Sequence, residues 1–486
     1  MTRYLIIALL FVLVRIPLFS QEGNPSDDIK MAYLNLDERT GNILLSGRLS
    51  TTTPEYIRMA ALRDFLSCLL YQTESSNARY YSKADYWLKK LELDRSSTSV
   101  SVSTSVEISI YRAVLASQFS DYKTSSLALI RACKEINRNG GMLGNSDREK
   151  LTGILGILFS LVPDQAMKIV KLTGVRPANL GSFAELENYY RTARPGSADR
   201  LEGWLLLVTS LKEFSGDPAK AWEFVRKEGD SYPGNPLVRY QSALAALKAG
   251  YNDEAIRLLE GGFADPSCKL FPAWNYQLGR CYLNSLDPRA GQWLTAFISS
   301  PGGETYRHVA HLRLAWHYLV QGKADESLTL CRKIGNLPEA HSVYDKQAVR
   351  EAESQTLPDQ DLIRLRLLFD GGYYERCLAG CCDLESRRRL EGEPAVELIY
   401  RKARCYHRTG LYREAIEQYL KVIGQKKQVK SYWLPNSALQ LGYLYREMGR
   451  ADLARKYFKL CMELNDFGYR EGINREAQAA LAGLAR

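Results

Sequence analysis

Long apolar runs are nearly absent from this chain. Beyond the first twenty residues no segment is apolar enough to cross a membrane, which takes about 20 consecutive apolar residues. Missing too are the short patterns that carry common chemistry: there is no phosphate-cradling glycine loop followed by Lys-Ser or Lys-Thr, no H-E-x-x-H, no G-x-S-x-G and no dinucleotide-binding glycine fingerprint. Without them the sequence gives no ground for expecting an enzyme or a cofactor. Concentrated charge is also lacking. The 65 basic and 55 acidic residues leave a net +10, or +8 once Arg3 and Arg15 are set aside, spread along the length. A nucleic-acid footprint needs that charge gathered on one face. The two dense runs, Arg387-Arg388-Arg389 and Lys426-Lys427 with Lys430, fall at expected helix ends, where a solvated basic terminus suits the helix dipole.

The first twenty residues read as an export signal. Arg3 supplies the basic start, Tyr4 to Val14 the apolar run, and Ser20 a small residue before the polar Gln21. Arg15 interrupts the run, Leu18 is larger than a cleavage site prefers, and no cysteine follows that would receive lipid. A cleaved signal is expected, with an uncleaved N-terminal anchor as the alternative. Either places the protein outside the inner membrane, in the periplasm or associated with the cell envelope.

What the chain does have is a repeat. From Leu398 to Leu460 one 39-residue pattern is written twice: Ala403, Tyr406, Gly410, Tyr412, Ala415 and Tyr419, then Gly442, Tyr445, Gly449, Ala454 and Phe458. A small residue with an aromatic three later lies on one helix face. The glycine then allows the left-handed turn that ends that helix, and a second helix follows. Its alanine lets it lie close to the first, and the ring one turn on fills the wedge between them. Such a hairpin cannot bury its apolar face alone, so copies must stack.

Leu441-Gly442-x2-Tyr445 with Ala454-x3-Phe458, and Ala403-x2-Tyr406 with Ala415-x3-Tyr419, resemble the tetratricopeptide repeat. The resemblance implies an all-α fold, a right-handed α-superhelix or solenoid of stacked helical hairpins. Further copies are marked by Gly216 and Ala221, by Gly250 and Ala255, by Leu278-Gly279-x2-Tyr282, and by Leu314-Ala315-x2-Tyr318 with Gly322. Between Gly322 and Gly372 an extra helix, about 339–353, is expected. The division anticipated is a signal peptide over 1–20, a flexible lead-in over 21–53, divergent hairpins over 54–196, the regular array over 197–470 and a C-terminal capping helix over 471–486. Within the divergent part, Ser96 to Ser105 reads as a connecting loop, and 150–162 with 164–172 as one hairpin.

The ten cysteines sit mostly in repeat slots that take small apolar filler: Cys281 and Cys405 before a first-helix aromatic, Cys377 in the alanine slot, Cys331 and Cys381 in the wedge slot, and Cys461 on a buried face. Cys377-x3-Cys381-Cys382 has ligand-like spacing, but a structural zinc site needs four ligands and no second pair exists. His308 and His311 share a helix face without a third ligand, so no metal is expected. Glu326-Ser327 and Glu385-Ser386 superficially match the catalytic pair of lytic transglycosylases, another superhelical group, yet lie on repeat helices without that group's companion motif.

Function is therefore expected on the concave surface, which first helices line in such arrays. Hairpin geometry puts Tyr240, Tyr276, Arg280, Trp316, Tyr400, Arg404, Arg408, Tyr443 and Arg446 on or near its inward stripe. Tyr, Trp and Arg dominate binding hot spots. The expectation is a non-enzymatic scaffold of the cell envelope that grips a segment of another protein, acidic ones included, with no nucleic-acid partner and membrane contact only through an uncleaved N-terminus. The competing reading is a glycan-binding or peptidoglycan-associated envelope protein, which two aromatics pocketed around a carboxylate would favour.

Overall fold

The computed structural model describes residues 24–93, 98–160, 174–175, 181–264, 271–353, 357–464 and 470–484. Every regular element among them is a helix. The signal expected over 1–20 and the helix expected over 164–172 lie outside the described residues.

Local sequence sets the helix starts. Asn24, Asp37, Thr53, Thr98, Asp121, Ser197, Asp217, Asn235 and Ser342 each accept a hydrogen bond from a backbone N–H of the first turn, which satisfies donors that no helix can pair internally. Pro25, Pro54, Pro218, Pro236 and Pro272 open helices, the place where a missing N–H costs nothing.

Two helices then close into a hairpin, and hairpins stack. In the clearest copies the helices are Gly392–Arg408 with Tyr412–Gly424, and Trp433–Glu447 with Ala451–Glu463. Ala403, Ala415, Tyr419, Ala454 and Phe458 are all fully buried. Gly442 shows why the slot must be small: a Cβ there would sit 2.4 Å from the Phe458 ring. The same hairpin form continues upstream through Ala198–Phe214 with Pro218–Glu228, Pro236–Lys248 with Asn252–Glu260, Pro272–Asn284 with Ala290–Ile298, Arg307–Val320 with Ala324–Ile334, and Gln360–Asp370 with Tyr374–Arg387. The fold is an all-α superhelix of stacked helical hairpins. The inserted helix is Val343–Ala352 and the terminal one Arg470–Gly483.

Two expectations for the N-terminal part are corrected. The stretch 21–53, expected as a flexible lead-in, forms the helices Pro25–Leu34 and Glu38–Arg48, with Ile29, Tyr33 and Leu45 buried. Asn24 is a helix cap followed by the helix-opening Pro25, and Gly41 is where the Tyr33 ring packs. The stretch 96–105, expected as a loop, contributes from Ser99 onward to the helix Ser99–Gln118. Its Val, Ser and Thr residues have weak helix propensity, but Val102, Ser103, Thr104 and Val106 are all buried by neighbouring helices, and such packing overrides propensity.

The N-terminal helices also fold back on the array. Lys30 pairs with Asp199 and Glu202, each at 2.6 Å. Asn235 donates to the Leu34 carbonyl at 3.0 Å. Arg58 pairs with Glu107 and Asp147, and Lys150 with Glu107 and Glu202, so three cations and four carboxylates form one largely buried network. Further along, the Tyr71 and Gln72 carbonyls accept from the Gly303 and Glu304 N–H groups at 2.8 and 3.0 Å. Hairpins far apart in sequence touch as well. Gly250 and Gly372 meet at two hairpin turns, where both backbones are left-handed (φ +90° and +81°) and a Cβ on Gly372 would lie 1.9 Å from the Gly250 carbonyl.

Candidate functional site

Five first-position helices bring an arginine–aromatic surface together: Pro272–Asn284, Arg307–Val320, Gln360–Asp370, Gly392–Arg408 and Trp433–Glu447. Helical spacing puts Tyr276 beside Arg280, Arg313 beside Trp316, and Tyr400 beside Arg404, so each cation has a ring three or four residues away. The rings continue across helices. Tyr276 stacks on Tyr306 at 5.0 Å, and Tyr400 packs on Trp433 at 4.8 Å. Guanidinium groups lie against them, Arg366 at 4.6 Å from the Trp316 ring centre, Arg401 at 5.0 Å from Trp433 and Arg404 at 5.0 Å from Phe369, a geometry that attracts a cation to the ring face.

Between Trp316 and Trp433 opens a cavity of about 650 Å³, with Glu351, Arg366, Glu397 and Asn436 among its lining. Four carboxylates, Glu351, Asp359, Glu393 and Glu397, and one guanidinium, Arg366, line it; Asp359 pairs outside the cavity with Arg388 at 2.6 Å, and Glu393 accepts from the Ser431 hydroxyl at 2.8 Å. Glu351 pairs with Arg366 at 3.4 Å and Glu397 with Arg401 at 3.0 Å. Burial works against the charge on Arg366, but Glu351 and Asp370 outweigh it and hold the guanidinium more firmly protonated than usual. Each Trp ring carries a guanidinium, Arg366 on Trp316 and Arg401 on Trp433, and is only 5 % exposed, so little ring face is open to a sugar.

Cations without an ion pair lie deeper along the surface. Arg280, Arg313 and Arg404 make no ion pair with any described carboxylate; Arg313 donates from Nε to the Tyr276 hydroxyl at 3.2 Å and Arg404 from Nη1 to the Tyr400 hydroxyl at 2.9 Å. One N–H position on each, Arg280 Nε, Arg313 Nη1 and Arg404 Nε, is buried without an acceptor. A buried donor left unpaired costs about 1–3 kcal/mol. Chemically, this surface is suited to an acceptor-rich or anionic group.

The nine residues singled out from sequence divide into three sets. Tyr276, Arg280, Trp316, Tyr400 and Arg404 belong to the surface just described. Tyr276, Trp316 and Tyr400 are themselves buried, exposed by 3, 5 and 2 %, so they back the surface rather than present a ring to solvent. Tyr240 is buried against Phe271 and Trp274 at 4.4 and 5.5 Å, with Tyr276, Tyr306 and Arg280 as neighbours, so it too backs the surface rather than facing solvent. Arg408, Tyr443 and Arg446 stand apart. Arg408 is exposed and donates to the Tyr374 hydroxyl at 3.1 Å; Arg446 is exposed over the Tyr443 ring, whose edge meets Phe458.

Sequence reasoning did not find Arg313, Arg366, Arg401, Trp433 or Glu351. Arg313 is three residues before Trp316, and that i, i+3 pairing was a usable signal. Arg366 and Glu351 were hidden by the inserted helix, which shifts the repeat register. Among the described residues no group of three or more His, Cys, Asp or Glu could hold a metal ion, and no disulfide joins the nine described cysteines. Cys377, Cys381 and Cys405 meet in one buried cluster through S–H contacts.

This geometry rests on hairpins whose sequences can be compared with known ones. Two stretches match the tetratricopeptide repeat, residues 396–428 and 435–466. These tetratricopeptide segments are the two clear copies above, and they contribute Arg401, Arg404, Asn436 and Tyr400 to the surface. No curated protein matches the chain. Among solved structures, a chain of the Cut9–Hcn1 hetero-tetramer of the APC/C is similar at 12 % identity over 94 % of this chain and 95 % of that one, with a TM-score of 0.27. The P58(IPK) tetratricopeptide domain is similar at 14 % over 83 % and 98 %, TM-score 0.22. Yeast Tom70 is similar at 14 % over 89 % and 97 %, TM-score 0.23. These likenesses are too remote for residue-by-residue comparison. Tetratricopeptide-repeat proteins are in general non-catalytic scaffolds that bind proteins or peptides, and the fold here is consistent with that role.

Proposed function

We propose that this protein is a scaffold of the cell envelope that holds an acidic segment of a partner protein on its inner arginine–aromatic surface. The observation that supports this most directly is the set of buried guanidinium N–H groups on Arg280, Arg313 and Arg404 that have no hydrogen-bond acceptor among the described residues. A partner carboxylate or a run of backbone carbonyls would satisfy them, and a carboxylate would form charge-assisted bonds about twice as strong as neutral ones. The cavity between Trp316 and Trp433 would take an apolar side chain of the same segment. Placement in the envelope rests on the N-terminal twenty residues.

A peptide array of acidic, neutral and basic segments tests the site. Acidic peptides should be retained by the wild-type chain, lose affinity as salt rises, and bind about tenfold more weakly to Arg280→Met and Arg404→Met. Retention independent of peptide charge, or indifference to both substitutions in chains with native circular dichroism, overturns the reading. Fractionation of cells expressing the full chain tests the location, and recovery in the cytosol alone would sink that part.

A further inference from the structure

We propose that the cleft where the N-terminal hairpins meet the array binds one ring of a neutral carbohydrate. The cleft, about 190 Å³, opens where four segments converge. Gln72 comes from the end of Pro54–Tyr71, and Gln118, Ser120 and Tyr122 from the turn between Ser99–Gln118 and Tyr122–Asn139. Thr305 comes from the short Glu304–Tyr306 turn, and Tyr344 from the first turn of Val343–Ala352.

Three observations converge on this ligand class. The first is a prepared aromatic platform. Tyr276, Tyr306 and Tyr344 form a pile of rings, 5.0 Å and 28° between the first two and 6.4 Å and 20° between the second pair. The pile ends on Tyr344, which is 62 % exposed, with Tyr122 at 59 %. A ring fixed from behind and open in front offers its face at little entropic cost, and the C–H face of a pyranose is the complement of such a ring.

The second observation is the direction of the hydrogen bonds. Ser120 Oγ donates inward to the His341 carbonyl at 2.6 Å, Thr305 Oγ1 to Gln72 Oε1 at 3.1 Å, and Ser342 Oγ to Asp345 at 2.9 Å. With those protons committed, the hydroxyls face a ligand as acceptors. Gln118 Oε1 is a further acceptor, buried and without any donor. The wall therefore asks for several O–H donors close together, which vicinal hydroxyls of a sugar supply and a peptide backbone, with one N–H per residue, does not.

The third is charge. No Asp, Glu, Lys, Arg or His lines the cleft. Glu74, Asp121 and Glu304 flank it on three of the converging segments, with Glu304 Oε2 holding the Glu74 N–H and Asp121 capping its helix. Those flanks are mixed in sign, since Glu74 pairs with His341 at 3.2 Å and Lys123 stands beside Asp121, so no net charge is gathered there for a phosphate, and the uncharged wall suits a neutral polyol.

The test is titration of the full chain with two probe series, N-acetylglucosamine oligomers and maltooligosaccharides, by calorimetry and saturation-transfer NMR, with AMP as the charged stacking control. One neutral series should bind with saturation transfer centred on a single ring. Tyr344→Ala and Gln118→Ala should each weaken that binding about tenfold, while Tyr344→Phe and the remote Tyr86→Ala leave it unchanged. Tyr344 is exposed, so its variants should retain native circular dichroism. Failure of both series to bind, unchanged affinity in Tyr344→Ala and Gln118→Ala, or stronger binding of AMP than of either sugar series overturns the proposal.

Discussion

Buried charge is the costliest thing this sequence places in its interior, and Lys150 concentrates it. Its side chain is 2 % exposed, between Glu107 and Glu202. Burial opposes its charge, and the two carboxylates more than restore it. Lys150→Met removes one partner from a desolvated network and should destabilise the protein by about 3–5 kcal/mol, read as a fall in the urea midpoint. In the same network burial pushes the Asp147 carboxyl up, but Arg58 and Lys150 overcome it and hold it at about 2. A lowered carboxyl adds stability above its unfolded value near 3.9, and that stability is lost as pH falls towards 2. Asp345 behaves oppositely. Burial raises its carboxyl to about 7, even though the Val309 N–H and the Ser342 hydroxyl favour the ionised form. Its contribution is fully present below about pH 4 and fades as pH rises through 7, so Asp345→Asn should flatten the thermal midpoint between those limits. A midpoint slope unchanged by the substitution would contradict this.

Individual elements show how far local signals reach. Capping residues, helix-opening prolines and the Gly410 and Gly449 turns (φ +78° and +72°) were legible because each acts within one turn of chain. The small-residue and ring slots were legible because a hairpin's two helices are close in sequence. Ser99–Gln118 was not: its weak helix formers are held helical by packing against Pro54–Tyr71, Glu74–Leu93 and Tyr122–Asn139, and no pattern inside the stretch itself encodes that. Two glycines gain a meaning that sequence could not supply. Gly250 and Gly372 form the turn inside a hairpin, as Gly410 does, but they also let two hairpins far apart in sequence touch. Gly372→Ala adds a Cβ against the Gly250 carbonyl as well as backbone strain, and should cost about 2–4 kcal/mol. Gly410→Ala meets nothing within 4 Å and should cost only the backbone strain, about 1 kcal/mol. Equal losses for the two variants in chemical denaturation would mean the inter-turn contact contributes nothing.

At the scale of the whole molecule, the N-terminal hairpins are fastened to the array rather than strung before it. Gly302 lies where a Cβ would approach the Tyr71 carbonyl to 2.4 Å, so Gly302→Val should wedge that contact open. Faster hydrogen exchange over residues 54–139, with unchanged protection over 392–463, is the expected outcome; uniform change along the chain would argue for a single cooperative unit. The repeat, its period and the all-α stacked architecture were determined by the sequence alone, because small-to-large complementarity between neighbouring helices is a short-range code. The arginine and aromatic residues of the first helices are legible there too, as residue types. Which of those rings are covered, as Tyr240 is, which guanidinium N–H groups lack an acceptor, as on Arg280 and Arg404, and where separate segments converge around Tyr344 were decided only by the tertiary structure. The reason is physical: burial and pairing depend on which distant hairpins come into contact, and the small packing angles that decide this add up over many hairpins and leave no mark in any one of them.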